Sequence, residues 1–293
     1  MINKKLLQYL CCPKCKSDLA KQNNFLVCKK CAEKYKIQHS IPILVNLDNL
    51  SKHLQKQIKY FEQEDRSRPE YRLSEWQKSY LRRLKENLLL KKNEILIDIG
   101  TGSGYIAVEM ARKGLKVIAC DLTLKELIKL KDVVKKEHLE RSLFLVCCSA
   151  EDLPFKNKIA DYLVSNAILE HLPKEKEAIQ GISRVCKSKS GLMVTVPLSL
   201  KYVLPFFWPV NIIHDKRIGH LRRYDKKILK KKFSRYGFKL KRVLYTGHLI
   251  KVLGVLIAMI FKVNKFDKLL ENFDQGAENK KYGASNVCVI FKR

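Results

Sequence analysis

A mostly parallel seven-stranded α/β sheet with helices on both faces, preceded by a small cysteine-rich module, is the fold that this sequence predicts. Three observations lead there. From residue 94 onward, short apolar runs alternate with amphipathic stretches, the pattern that right-handed βαβ units produce. The first of those runs ends in an aspartate followed by three glycines at alternate positions. Ahead of them, four cysteines stand in two CxxC pairs within the first 46 residues.

The 293 residues suffice for one well-packed α/β domain and a small appendage, and a hydrophobic share of 46% excludes wholesale disorder. The net charge of +30 is uneven: residues 1–45 carry +7, residues 46–199 another +7, and residues 200–293 carry +16. That excess reads equally as a solvated lysine face or as a C-terminal region turned toward something anionic. The opening MINKKLLQYL lacks the apolar stretch and small-residue cleavage site of a secretory leader. Cys120, Cys147, Cys148, Cys186 and Cys288 sit in apolar surroundings as small hydrophobes, so a reducing cytoplasm is expected. The longest apolar candidate, Val252 to Phe261, is ten residues between Lys251 and Lys262, the length of a core or interfacial segment. The protein is expected to be soluble or peripheral at a membrane surface.

Residues 1–46 read as short strands around two knuckles, CPKC with Cys12 and Cys15, and CKKC with Cys28 and Cys31. Two such turns place four thiolates tetrahedrally around one Zn²⁺, and a module this small needs such a staple. Cys11 would give a CxxxC spacing and is set aside. With LLQYLCCPKC, LVCKKC and IPILV, the segment resembles the zinc ribbon of small activator proteins that partner tRNA and protein methyltransferases. Similar ribbons precede the catalytic domain of some large-subunit rRNA guanine methyltransferases. Residues 47–90 follow as a helical linker with N-terminal helices, in which Tyr71, Trp76, Tyr80, Leu81, Leu84 and Leu88 recur at helical spacing.

Residues 91–293 supply the alternation: strands EILIDIG, LKVIACD, SLFLVCC, ADYLVSN and GLMVTVP, with helices at 105–113, 124–136 and 174–185. A basic helix at 225–236 and the strands FKLKRVLYT and SNVCVIFKR close the chain. Apolar insertions interrupt the pattern near 198–213 and 248–275.

In IDIGTGSGY, Asp98 ends the first strand and Gly100, Gly102 and Gly104 form a turn where backbone can approach a ligand without Cβ interference. The dinucleotide fingerprint GxGxxG would place its third glycine at 105 or 107, where Tyr105 and Ala107 stand. DxGxGxG resembles the cofactor motif of class I S-adenosylmethionine-dependent methyltransferases, and the resemblance extends over residues 94–293. It implies a Rossmann-like fold. SAEDLPF and DYLVSNAILEHL look like the adenine-side and fourth-strand loops of the type 11 group, which includes enzymes of quinone biosynthesis. The resemblance implies S-adenosylmethionine held by Asp98, Gly100, Gly102, Gly104 and Asp121, with Ala150 and Glu151 flanking the adenine and Asn166 on the methionine side. Asp121 ends the second strand, where a carboxylate can accept from ribose hydroxyls. Ser149 stands where the group usually carries Asp.

On the acceptor side, His171 in LEHL is a candidate base, as is His220 in IGHLRRY. Arg222 and Arg223, with Tyr224, are candidates to bind an anionic group. Two acceptor classes stay open. One is a small or lipid-linked molecule with a polar or anionic head, for which VLPFFWPVNII and VLGVLIAMIF would form an apolar lid or rest on a membrane. The alternative is RNA, bound by the basic surface and the ribbon, although SNAI after the fourth strand is not the NPPY-like motif of base methylation.

Overall fold

The structure is a computed structural model and describes residues 3–63, 71–248 and 267–293. In the cysteine module a single turn, α1 (Lys4–Leu7), precedes four short strands, β1 (Leu19–Gln22), β2 (Phe25–Cys28), β3 (Lys34–Gln38) and β4 (Ile41–Pro42). They pair antiparallel in chain order. The two knuckles are alike. Lys16 and Ala32, each directly after its second cysteine, take left-handed backbone (φ 60° and 55°) and donate their amides to the Cys12 and Cys28 carbonyls at 2.8 and 3.1 Å.

Two helices follow, α2 (Lys52–Gln63) and α3 (Glu75–Asn87). At the start of α3, Gln77 Oε1 accepts from the Ser74 amide at 2.9 Å, the reciprocal half of a capping box. Tyr80, Leu81 and Leu84 then turn to the core together, as their spacing predicts.

The seven-stranded sheet is built from β5 (Ile95–Ile99), β6 (Lys116–Asp121), β7 (Leu143–Cys147), β8 (Ala160–Asn166), β9 (Cys186–Pro197), β10 (Lys239–Thr246) and β11 (Asn286–Lys292). Its order is β10-β11-β9-β8-β5-β6-β7; β5 to β9 run parallel and β11 lies antiparallel between β9 and β10. The helices are α4 (Tyr105–Arg112), α5 (Leu124–Lys136), α6 (Glu175–Val185), α7 (Trp208–Ile218), α8 (Lys226–Ser234) and α9 (Asp267–Gly276). The period of two along β5 divides the core: Ile95, Ile97 and Ile99 pack with residues of α6 and α8, while Leu96 packs with α3, α4 and α5 on the other face. This is the Rossmann-like, mostly parallel architecture that the alternation predicts. The sheet reverses its order at β5, between β6 and β8, and open α/β sheets bind ligands at the carboxyl ends of such strands.

The cysteine module is not a free appendage. Strand β7 is the edge of the sheet, where unpaired amides and carbonyls would otherwise face solvent. Ile43 bridges Cys147 in parallel, and the Leu44 amide donates to the Cys147 carbonyl at 2.7 Å. Nearby, Cys11 donates to the Pro154 carbonyl and Lys156 to that of Tyr9, both at 2.9 Å. Leu6, Leu10 and Leu26 join Phe155 in one core. Residue 46 thus marks a change of element type while the packing runs through it. The insertion near 198–213 forms two short 3-10 turns and the start of α7. Most of the one near 248–275, Val252 to Phe261 included, lies outside the described residues, and α9 is its end.

Candidate functional site

A cleft of about 1290 Å³ opens at the carboxyl ends of β5, β6 and β8. Single ligand pockets run about 300–1,000 Å³, so this one has room for two small molecules. Its floor is the glycine turn. Gly100, Gly102 and Gly104 all take positive φ (68°, 49° and 76°), but each for its own neighbour. A Cβ on Gly100 would lie 1.9 Å from Ile168, and one on Gly104 would lie 2.2 Å from Leu130, so these two make room for protein side chains. A Cβ on Gly102 would meet nothing within 4 Å. It would project into the cleft, which is the position where a ligand approaches the backbone.

Two carboxylates support this turn. Asp98 is buried and accepts from Thr101 Oγ1 at 2.7 Å; burial pushes its carboxyl up to about 7, against the Thr101 bond. Asp121 lines the cleft and accepts from the Gly102 amide (2.9 Å) and the Thr123 amide (2.8 Å). Burial raises its carboxyl too, with those amides opposing. Ser149 and Ala150 line the same wall, and Asn166 lines the opposite one, its Nδ2 donating to Tyr105 Oη at 3.1 Å. Glu151, expected beside them, turns away. Its Oε1 accepts from the Lys174 amide at 2.6 Å, so it tethers the turn leading into α6.

At the other end of the cleft stand His171, His214 and His220, roofed by Leu54, Gln57 and Phe61 of α2. The rings of His171 and His220 are edge to face, 4.7 Å between centroids. Glu170 lies beneath them, fully buried, with Oε1 3.8 Å from His220 Nε2. Burial, with the Asp215 charge adding to it, pushes Glu170 up to about 8; burial and then the His220 neighbour push His171 down to about 3. A histidine held so far down is a poor proton acceptor, which argues against His171 as the base. Burial also lowers His220, although its bond to Asp215 opposes the change.

The Arg pair departs from expectation. Arg223 donates to both oxygens of Asp215 (2.6 and 2.9 Å), to Asn211 Oδ1 and to the Leu198 carbonyl. Arg222 donates to the Leu172 carbonyl at 2.6 Å, and Tyr224 is buried. None of the three lines the cleft, because backbone and side-chain acceptors brought from α7 and the Leu169–Leu172 turn already engage the guanidinium groups. What motif reading missed is Asp215, the partner of both Arg223 and His220. Its signal lay in the sequence HDKRIGH, which a helix end at the left-handed Gly219 folds back on itself.

In the cysteine module the Sγ atoms of Cys12, Cys15, Cys28 and Cys31 all lie within 4.8 Å of one another, with Cys15–Cys28 at 3.3 Å and Cys12–Cys31 at 3.7 Å. A tetrahedron with Zn–S bonds of about 2.3 Å has S···S edges of about 3.8 Å. The four thiolates therefore fit that ion. Cys28 Sγ also accepts from the Lys30 and Cys31 amides at 3.4 Å, as a knuckle thiolate does. Cys11 is buried outside the group.

Residues 97–194 match the family model described as a methyltransferase domain. The glycine turn, Asp121 and Asn166 all lie within that matched segment. A ubiquinone/menaquinone biosynthesis C-methyltransferase of Rickettsia massiliae is 30% identical over 148 residues, covering 47% of this chain and 58% of the relative. A bifunctional biotin biosynthesis protein of Cellvibrio japonicus is 30% identical over 92 residues, 31% of this chain and 17% of its own length. The chain thus spans less than two thirds of these relatives. Among solved structures, geranyl diphosphate C-methyltransferase from Streptomyces coelicolor, in complex with Mg²⁺, geranyl diphosphate and S-adenosyl-L-homocysteine, superposes with a TM-score of 0.62 over 83% of this chain and 98% of that one. At 14% identity that likeness concerns the fold.

Proposed function

We propose that this protein transfers a methyl group from S-adenosylmethionine to a small or lipid-linked acceptor with a polar or anionic head, working at a membrane surface. The observation that carries the acceptor reading is α7. It lines the cleft with His214, Arg217 and Ile218. Its other residues, and the turn before it, hold Phe206, Val210 and Ile213 out to solvent at 84%, 55% and 66% exposure, with Leu204, Trp208 and Ile212 beside them. Exposed apolar clusters of this kind mark an interaction or membrane surface, and Lys216 and Arg217 add positive charge for anionic headgroups.

When bound, S-adenosylmethionine supplies a methyl group on an already activated sulfonium. The protein's own work is positioning and exclusion of water. Asp121, at the mouth of the Gly102 turn, is placed to accept from ribose hydroxyls. Asp98 puts a second carboxyl beneath the same turn. Helix α2 roofs the acceptor end and is fastened there by Gln57 Nε2 donating to the Ile218 carbonyl at 3.0 Å. In the same reading the ribbon holds one structural Zn²⁺, since four thiolates leave no open position for chemistry.

The reading is tested by co-sedimentation with anionic vesicles at low salt and by following labelled methyl groups into lipid extract, RNA or protein. Vesicle binding with label in the lipid extract is expected. Absence of vesicle binding together with label in RNA would overturn the acceptor assignment and favour the basic surface as an RNA-binding face.

A further inference from the structure

Glu170, beneath the histidines at the end of the cleft, is an anomalous group. It is 0% exposed, and among the described residues neither carboxylate oxygen receives a hydrogen bond. A buried carboxylate without partners is costly, and native structures pair such groups or place a cation against them. One ligand atom each from Glu170, His171 and His220 lies within 4.8 Å of the others.

We propose that Glu170, His171 and His220 bind a divalent transition-metal ion at the acceptor end of the cleft, with Asp215 as the positioning residue for His220. Two imidazole nitrogens and one carboxylate oxygen are a donor set for ions of the Mn²⁺ to Zn²⁺ series and leave coordination positions open. The orientation of His220 is already fixed as metal sites require. Asp215 Oδ1 accepts from His220 Nδ1 at 2.7 Å, and Arg223 holds Asp215 by both oxygens. That bond puts the proton on Nδ1 and leaves the Nε2 lone pair facing Glu170. A rival grouping of His214, Asp215 and His220 is weaker, because His214 is exposed and both oxygens of Asp215 are engaged by Arg223. Since His171 and His220 line the cleft, the open positions of the ion would take oxygen donors of the acceptor's polar head. That last step rests on the methyltransferase reading, whereas the site itself does not.

The experiment titrates Mn²⁺ into full-length protein whose ribbon is loaded with zinc, following free Mn²⁺ by electron paramagnetic resonance. Mn²⁺ is a hard ion and does not compete for thiolates. One bound equivalent is expected, with nitrogen couplings from histidine in the pulsed spectrum. Glu170→Gln should weaken binding at least tenfold, and Asp215→Asn roughly tenfold, the effect of losing a ligand's supporting partner. If Glu170→Gln does not fold by circular dichroism, His220→Ala carries the test and must remove one nitrogen coupling. No Mn²⁺ bound, with no Co²⁺ or Zn²⁺ bound beyond the ribbon's single equivalent, overturns the site; so does binding that lacks nitrogen couplings or survives both substitutions. S-adenosylmethionine binding, measured separately by calorimetry, distinguishes the two readings: loss of that binding with Mn²⁺ binding intact removes the proposed activity and leaves the metal site standing.

Discussion

Asp98 and Asp121 serve one turn by different means, and substitution separates them. Asp121 receives two backbone amides and retains lone pairs toward the cleft, so Asp121→Ala removes a charged acceptor from the ribose position. Hydrogen bonds to charged groups contribute about 1.5–3 kcal/mol, so S-adenosylmethionine affinity should fall roughly ten- to hundredfold by calorimetry. An unchanged affinity would remove Asp121 from the cofactor site. Asp98 is a pH probe. Its carboxyl is raised to about 7 from an ordinary value near 4, so the folded state holds the proton more tightly than the unfolded chain does. The stability that follows is fully present below the unfolded value and is lost as pH rises through about 7. The ligand-free Asp98→Asn variant should therefore gain in melting temperature on the wild type between about pH 4 and 7, with little further gain above that. Binding of a cationic cofactor beside the carboxyl favours its ionised form, so wild-type affinity relative to Asp98→Asn should rise over the same interval. A pH-independent ratio would show that Asp98 does not sense the cofactor.

At the level of elements, the glycine turn was legible because its chemistry is local: three glycines after a strand leave few alternatives. The reason for each glycine was not, since Ile168 and Leu130 come from 68 and 26 residues further along the chain and only the fold brings them close. The difference is testable. Gly102→Ala meets no neighbour and should cost about 1–2 kcal/mol of stability for its left-handed backbone, while weakening cofactor binding. Gly104→Ala adds overpacking against Leu130, about 1–3 kcal/mol more, and should show mainly as a lowered melting temperature. Strands β5 to β8 and helices α4 to α6 followed from periodicity to within a residue or two. The direction of β11 did not, because alternation of side chains is the same whichever way a strand runs. Helix α7 was hidden too: apolar residues on its solvent side erase the stripe by which a helix is recognised. That same irregularity is its functional mark. Phe206→Ser with Ile213→Ser should abolish vesicle co-sedimentation and leave cofactor affinity unchanged; sedimentation that persists would move the membrane contact elsewhere. Arg223 shows the limit of motif reading most plainly. Two adjacent arginines suggest an anion site, and only the backward turn after α7 reveals that Asp215 already occupies the guanidinium.

For the molecule as a whole, the cysteine module is part of the sheet's edge and of its core, so the loss of a zinc ion held by its four thiolates should be felt far from the module. Removing zinc by a chelator should lower the melting temperature of the entire protein and increase aggregation, because the β7 edge is uncovered. Cys28→Ser should reproduce the shift and make the variant insensitive to chelator; a wild-type transition indifferent to chelation would remove the structural ion. No helix among the described residues is long and apolar enough to cross a membrane, so a membrane contact would be made by a surface such as that of α7. The seat of the ribbon on β7 also orders events in time. Contacts within the module, such as Cys12 with Cys31, close over 19 residues, whereas Asn3 reaches Glu140 over 137 and Lys16 reaches Asp152 over 136. Short loops close at lower entropic cost, and a chain being synthesised presents its N-terminal part first. On the ribosome, then, a module that takes up an ion through these four thiolates can do so early and wait, its apolar side unmated, until the edge strand it will cover has been made.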